Sequence, residues 1–176
     1  LQARYLLDNL ARGSTIVMLN GPQDVETGRL FKSGSHKILD PAVKAGDIVI
    51  GYEADIAGWA PGDAQAKTEW ALSLLQDGID GVLVANDGMA GGAITALALN
   101  DLDGAVLVTG QDATDAALQR ILTGDQSMTV YKAVTAEART AAEIAFLLAE
   151  GRYSEAEYAA NARIDNGAGL VPSVLL

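Results

Sequence analysis

The stretch Val82–Ala93, "VLVANDGMAGGA", opens as a continuous apolar run, stops at Asn86-Asp87 and loosens into Gly88, Gly91 and Gly92. A strand covered on both faces carries apolar residues at every position rather than at alternate ones, and Val82–Ala85 reads that way. The residues after the polar pair return to helical spacing. The stretch is therefore a strand, a short polar turn and a helix, and the same unit recurs along the chain. Strands are expected at Thr15–Asn20, Ile48–Tyr52, Gly81–Ala85, Ala105–Thr109 and Met128–Tyr131, with helices at Leu30–Lys44, Asp63–Gln76, Ala90–Asn100 and Thr114–Leu122. In the last helix Ala117, Leu118, Ile121 and Leu122 share one face, and Gly124 is placed to cap the end. Repeated strand-helix units of this size predict an α/β fold: a doubly wound parallel sheet with helices on both sides.

The bulk composition narrows the function classes. With 176 residues there is material for one sizeable core, and 49% hydrophobic against 20% charged residues is an ordinary globular balance. A net charge of −11 argues against nucleic acid, and the densest basic group (Arg29, Lys32 and Lys37) is interleaved with neutral residues. The acidity itself reads as a solubility feature. The absence of cysteine removes disulfides, thiolate catalysis and zinc-thiolate sites. No apolar run approaches the ~18 residues of a bilayer span. A start at Leu1, with neither an initiator Met nor a signal-peptide pattern, is what a mature or trimmed chain would show.

One segment does not fit a self-contained unit. Ala138, Ala141, Ala142, Ala145, Leu148 and Ala149 form a normal core stripe, but Ile144, Phe146 and Leu147 widen it, leaving only Arg139, Glu143 and Glu150 as a narrow polar face. A helix apolar on most sides is buried on most sides. It either lies deep in the fold or packs on something this chain does not contain.

In open parallel sheets ligands bind beyond the carboxyl ends of the strands. Those ends are Asn20-Gly21-Pro22-Gln23-Asp24, Tyr52-Glu53 leading to Trp59, Asn86-Asp87, Gly110-Gln111-Asp112 and Lys132. Every one carries a hydrogen-bonding group. Any single residue there is equally readable as a helix cap or a turn former, but the set, with an indole beside it, points to a small-molecule pocket. Amides and carboxylates bond several hydroxyls, and an indole face packs on the C–H face of a sugar ring. Trp59 lies in a Gly58-Trp59-Ala60-Pro61 loop, which favours a contact role, whereas Trp70 shares a helix with Ala66 and Leu74 and is expected to pack. Asp87 reads either as a ligand contact or as a capping residue.

Enzyme readings are weak, and an α/β enzyme would need a further catalytic group outside this sequence. The single histidine, His36, sits mid-helix beside Lys37 and is expected to be solvated or partly packed. There is no Ser-His-Asp set and no Gly-x-Ser-x-Gly elbow. Asp24, Asp87 and Asp112 lack the histidine or local spacing that would make them a metal site or an acid-base pair. Gly88–Gly92 has neither a basic residue nor the Gly-x-Gly-x-x-Gly pattern of a phosphate cradle, so these glycines are expected to let their helix pack closely on its strand. No catalytic residue, metal or cofactor is expected.

The motifs "NGPQDVETGRLF", "DIAGWAP", "VANDGMAGGAI", "VTGQDA", "TGDQSMTVYK" and "DNGAGLVPSVLL" occur in this order. Together they resemble the xylose-binding branch of the bacterial sugar-binding proteins that feed ABC transporters, type I periplasmic binding proteins, from about Gln2 to Leu176. The resemblance implies a three-layer lobe that closes on a sugar against a second lobe through a hinge, with no covalent chemistry. It implies that Trp59 stacks on the ring, that Asn86 and Asp112 take hydroxyls, and that Lys132 adds a hydrogen bond. Asp24 matches the aspartate of the family's "DNN" stretch. Here "DVET" stands instead, one residue longer, so the amide contributor is replaced by Glu26 or Thr27 and sugar preference is open to change.

The chain corresponds to about the second half of that family. The resemblance therefore implies a C-terminal sugar-binding lobe over 1–132, a crossover helix over 133–151 and a return segment over 152–176. The helix over 135–151 would pack on the absent first lobe or mediate self-association. The implied partners are a monosaccharide, xylose or a similar pentose or hexose, and an ABC permease. The implied location is the periplasm, or the cell exterior with a lipid anchor. The alternative is the same fold as a sugar sensor, in a transcription regulator or a signalling receptor.

Overall fold

The first strand, β1 (Ser14–Asn20), lies inside a five-stranded parallel sheet, and its neighbours explain why Ile16–Leu19 is apolar throughout. Ile16 and Met18 enter one core with Ala3 and Leu6 of α1 (Gln2–Asn9) and Leu39 of α2 (Glu26–Ala45). Val17 and Leu19 enter the opposite core, with Ala64, Ala71 and Leu72 of α3 (Pro61–Leu75) and Met89, Ala93 and Leu97 of α4 (Asp87–Ala98). β3 (Gly81–Val84) divides in the same way, Leu83 to the first core and Val82 and Val84 to the second. Each such fully buried side chain contributes roughly 1.5–3 kcal/mol over its exposed state. The doubly wound three-layer architecture is as expected. A computed structural model describes residues 1–76, 78–154, 164–165 and 170–171.

The sheet runs β2-β1-β3-β4-β5, with β2 (Ile48–Asp55), β4 (Leu107–Gln111) and β5 (Met128–Val130) completing it, and every pairing is parallel. The chain leaves β1 toward β2 and then reverses across β1 to β3. This reversal opens a crevice at the carboxyl ends of β1 and β3, where ligands bind in sheets of this type. The β1–β2 register skips Gly51 between Ile16↔Ile50 and Val17↔Tyr52. A Cβ on Gly51 would stand 2.6 Å from the Thr15 Cγ2 methyl, so the bulge requires glycine.

Several expectations need correction. α2 begins at Glu26 rather than Leu30, because Gly28 brings the first turn against the Pro22 carbonyl oxygen, where any side chain would overlap it. β4 spans Leu107–Gln111 rather than Ala105–Thr109. Its register comes from pairing with β3 and β5, and Gly110-Gln111, which look like loop, pair with Thr129-Val130. Trp70 and Leu74 do not pack: they are 61% and 55% exposed, and α3 buries Ala64, Thr68, Ala71 and Leu72 instead. On α5 (Asp115–Thr123) only Ala117 is buried, and Leu122 is 80% exposed, although Gly124 does cap the helix in the left-handed conformation.

The chain divides into two units, Leu1–Tyr131 and Lys132–Leu176. In the second, α6 (Val134–Ala149) has no buried residue, and β6 (Ile164–Asp165) pairs antiparallel with β7 (Leu170–Val171). Most of the return segment expected over 152–176 lies outside the described residues.

Candidate functional site

Four of the loops that follow strands in the first unit leave from the carboxyl edge of the sheet. After β1, Gly21 and Pro22 are buried while Asp24 is exposed, and Thr27 is exposed in the first turn of α2 rather than in a loop. After β2 the Ile56 N–H donates to the Asn20 carbonyl (3.0 Å), and the chain then makes a 3-10 turn over Ala57–Trp59. Gly58 (φ 61°) and Trp59 (φ 56°) are both left-handed. That conformation folds the indole back over Gly21, where a Cβ would overlap ring atoms of Trp59. The edge of the stack is closed by Phe31 of α2, T-shaped to Trp59 with centroids 6.3 Å apart. Phe31 was not anticipated. Its sequence surroundings are those of any half-buried helix residue, and its contact with the indole depends on the Trp59 loop folding back.

After β3, Asn86 caps α4: its Oδ1 accepts from the Met89 N–H at 2.9 Å. The capping reading and the hydroxyl-binding reading are thus compatible, since the cap uses the oxygen and leaves the amide NH2 as a donor. Beside it Asp87, poised in the sequence between ligand contact and cap, is neither. It is 1% exposed, and its carboxylate accepts from Thr129 Oγ1 (2.7 Å), Thr114 N (2.9 Å) and Gln126 Nε2 (3.0 Å). The glycines that follow are not matched to their own strand. Gly92 lies against the Pro61 carbonyl of α3 with no room for a Cβ, Gly91 faces Arg120, and Gly88 has space. Gly92 thus serves helix-to-helix packing, and Pro61 brings the Trp59 loop beside Asn86 and Gly88.

After β4, Asp112 (φ 107°) and Ala113 (φ 52°) are two successive non-glycine residues in the left-handed region. Backbone of this kind costs about 1–3 kcal/mol per residue and concentrates at functional sites. Gln111 is buried, and its Nε2 has no hydrogen-bond partner among the described residues. With Phe31, Gln2, Ser35 and Val130 it lines a cavity of about 230 Å³. Lys132, expected to add a hydrogen bond, is the half-buried first residue of the second unit.

A polar network supports the β1 and β2 ends. Asn20, 2% exposed, donates through Nδ2 to Glu53 Oε1 (2.7 Å) and Asp55 Oδ1 (3.2 Å). Lys32 Nζ reaches Asp55 at 2.9 Å and Glu53 at 3.1 Å, and His36 spans Asp40 (2.8 Å) and Glu53 (3.1 Å). His36 is thus partly packed, as expected. Its pKa is raised, first by Asp40 and then by Glu53. Burial pushes Glu53 upward, but bonds from His36, Asn20 and Lys32 outweigh it and the net direction is down. Lys32 is raised: burial opposes this, and its two carboxylate partners prevail. Among the described residues no group of three or more histidine or acidic side chains could hold a metal, and the site as built offers hydrogen bonds and an aromatic face.

Comparison with known proteins identifies the family. The family model described as a periplasmic binding protein domain matches residues 1–152. The D-xylose-binding periplasmic protein of Escherichia coli (strain K12) is 42% identical over 176 residues, covering all of this chain and 52% of that protein. Among solved structures, a carbohydrate transporter solute-binding protein from Chloroflexus aurantiacus in complex with D-glucose has a TM-score of 0.79 at 27% identity, covering 98% of this chain and 57% of that one. An ABC transporter periplasmic solute-binding protein from Actinobacillus succinogenes with bound D-allose has a TM-score of 0.76 at 27% identity, covering 87% and 53%. The chain spans about half the length of the relatives it matches. By its motifs, its sheet and the family model that matches most of its length, it belongs to the periplasmic-binding-protein family, whose members are solute-binding proteins and not enzymes.

Proposed function

We propose that this chain forms one lobe of a protein that binds a monosaccharide, xylose or a similar pentose or hexose, as the solute-binding component of an ABC sugar importer. The reading places the protein in the periplasm or lipid-anchored outside the cell, and docked on a permease. Trp59 stacks on the sugar ring. Asn86 and Asp112 take hydroxyls, and Asp24, Thr27 and Lys132 complete the set. The observation that carries the reading is the carboxyl edge of the sheet. There an indole and a carboxylate, Trp59 and Asp112, are both held in left-handed backbone on loops flanking the switch between β1 and β3. The relatives' names support a sugar as the ligand, and because those names span D-xylose, D-glucose and D-allose, the particular sugar is a matter for measurement.

The test is calorimetric titration of the full-length protein against a panel of pentoses and hexoses. Trp59→Ala and Asp112→Ala are each expected to weaken the preferred sugar by ~2 kcal/mol or more, since a desolvated partner loses its contact. Unchanged affinity in both variants would overturn the site, and a panel without any binder would overturn the function.

A further inference from the structure

Asp112 can meet a ligand only in the direction its backbone allows, and that backbone is held by hydrogen bonds to residues of neighbouring elements. Three successive N–H groups of the strained turn are fixed in order. Asp112 N donates to the Val130 carbonyl (2.9 Å), Ala113 N to Thr129 Oγ1 (3.1 Å), and Thr114 N to Asp87 Oδ2 (2.9 Å). The Thr129 hydroxyl that accepts from Ala113 donates its own hydrogen bond to Asp87 Oδ1 at 2.7 Å. Two of the three bonds therefore end on one buried carboxylate. That carboxylate is itself held. Gln126 Nε2 donates to its Oδ1 (3.0 Å), Arg120 orients Gln126 (3.0 Å), and Arg120 Nη2 also donates to the Asp87 carbonyl (2.8 Å). Gly110 has no room for a Cβ because Asp87 Oδ1 and Gln126 Nε2 occupy that space.

We infer that Asp87 is a positioning residue for sugar binding: its buried carboxylate, acting directly on Thr114 and through Thr129 on Ala113, holds the left-handed Asp112–Ala113 turn so that Asp112 presents its carboxylate to the ligand. The inference rests on the proposed role of Asp112. Two consecutive residues in this conformation revert to ordinary backbone unless surrounding bonds over-determine them, and the Asp87 carboxylate ties the turn both to Thr129 of β5 and to Thr114, the cap of α5. Asparagine keeps its shape but turns one acceptor into a donor, which then faces the N–H of Thr114 or the donors from Thr129 and Gln126.

The experiment is a set of double-mutant cycles in the full-length protein, read by sugar affinity, with thermal melting to confirm folding. Asp87→Asn is expected to weaken the preferred sugar about tenfold or more, the scale on which supporting groups act on ligating residues in metal sites. In an Asp112→Ala background the further loss is expected to shrink to less than about twofold, while in a Trp59→Ala background it persists in full. Thr129→Val repeats the test with a smaller perturbation, and Thr129→Ser, which restores the hydroxyl, is expected to restore affinity. A purely structural Asp87 gives equal losses in all three backgrounds, and that result overturns the inference, as does unchanged affinity in Asp87→Asn and Thr129→Val. Failure of the underlying reading looks different: Asp112→Ala itself then leaves affinity unaltered.

Discussion

Glu53 shows how much of the site's support is decided one side chain at a time. It accepts from Asn20, Lys32 and His36, which arrive from β1 and α2. His36 is raised above 6.5, so its stabilising contribution is whole below that value and fades as pH climbs through the folded-state pKa. Glu53 is lowered below 4.5, so its contribution is present above that value and fades as pH falls through the lower folded pKa. Lys32, raised above 10.5, stays charged between the two. The network is therefore complete between about pH 4.5 and 6.5. The melting temperature of the wild type is expected to exceed that of His36→Gln near pH 6, by a margin worth under about 1 kcal/mol for a solvent-screened pair. The margin should shrink as pH rises through the folded-state pKa of His36, and one that grew with pH would contradict the network. The polar strand ends were legible as a set, as was the half-packed His36. The division of labour among them was not: Asn20 and Asp87 turned inward while Trp59 and Asp112 took strained backbone, because each depends on a neighbour distant in sequence.

At the scale of elements, the glycines separate close packing from simple tolerance. Gly92 has the Pro61 carbonyl where its side chain would go, so Gly92→Ala must push α3 from α4 and is expected to destabilise by roughly 1–3 kcal/mol in denaturant titration. Gly34, inside α2 with nothing within 4 Å, is expected to behave oppositely, Gly34→Ala gaining about 0.5–1 kcal/mol. Equal effects at the two positions would mean that the α3–α4 contact is looser than described. The strand-helix alternation was readable because apolar periodicity is a local property. Trp70 misled because α3 meets α4 through small residues, and a close helix contact leaves the bulky side chain outside.

For the whole molecule, α6 carries the expectation of association. Val134, Phe146 and Leu148 are 61%, 59% and 58% exposed, which leaves an apolar surface on a helix with no buried residue. The 176-residue chain by itself is expected to self-associate, and Phe146→Asp with Leu148→Asp to restore a monomer by light scattering. A sharply monomeric wild-type chain would count against this. The sequence alone determined the layers of the first unit and the edge that carries its candidate site, because strands buried on both faces and polar strand ends are written in consecutive residues. Only the tertiary structure decided that Asp87 is a buried anchor, that Phe31 backs Trp59 and that Gly92 packs α4 against α3. Each of these depends on which surfaces meet when non-adjacent elements pack, a relation that no local run of residues contains.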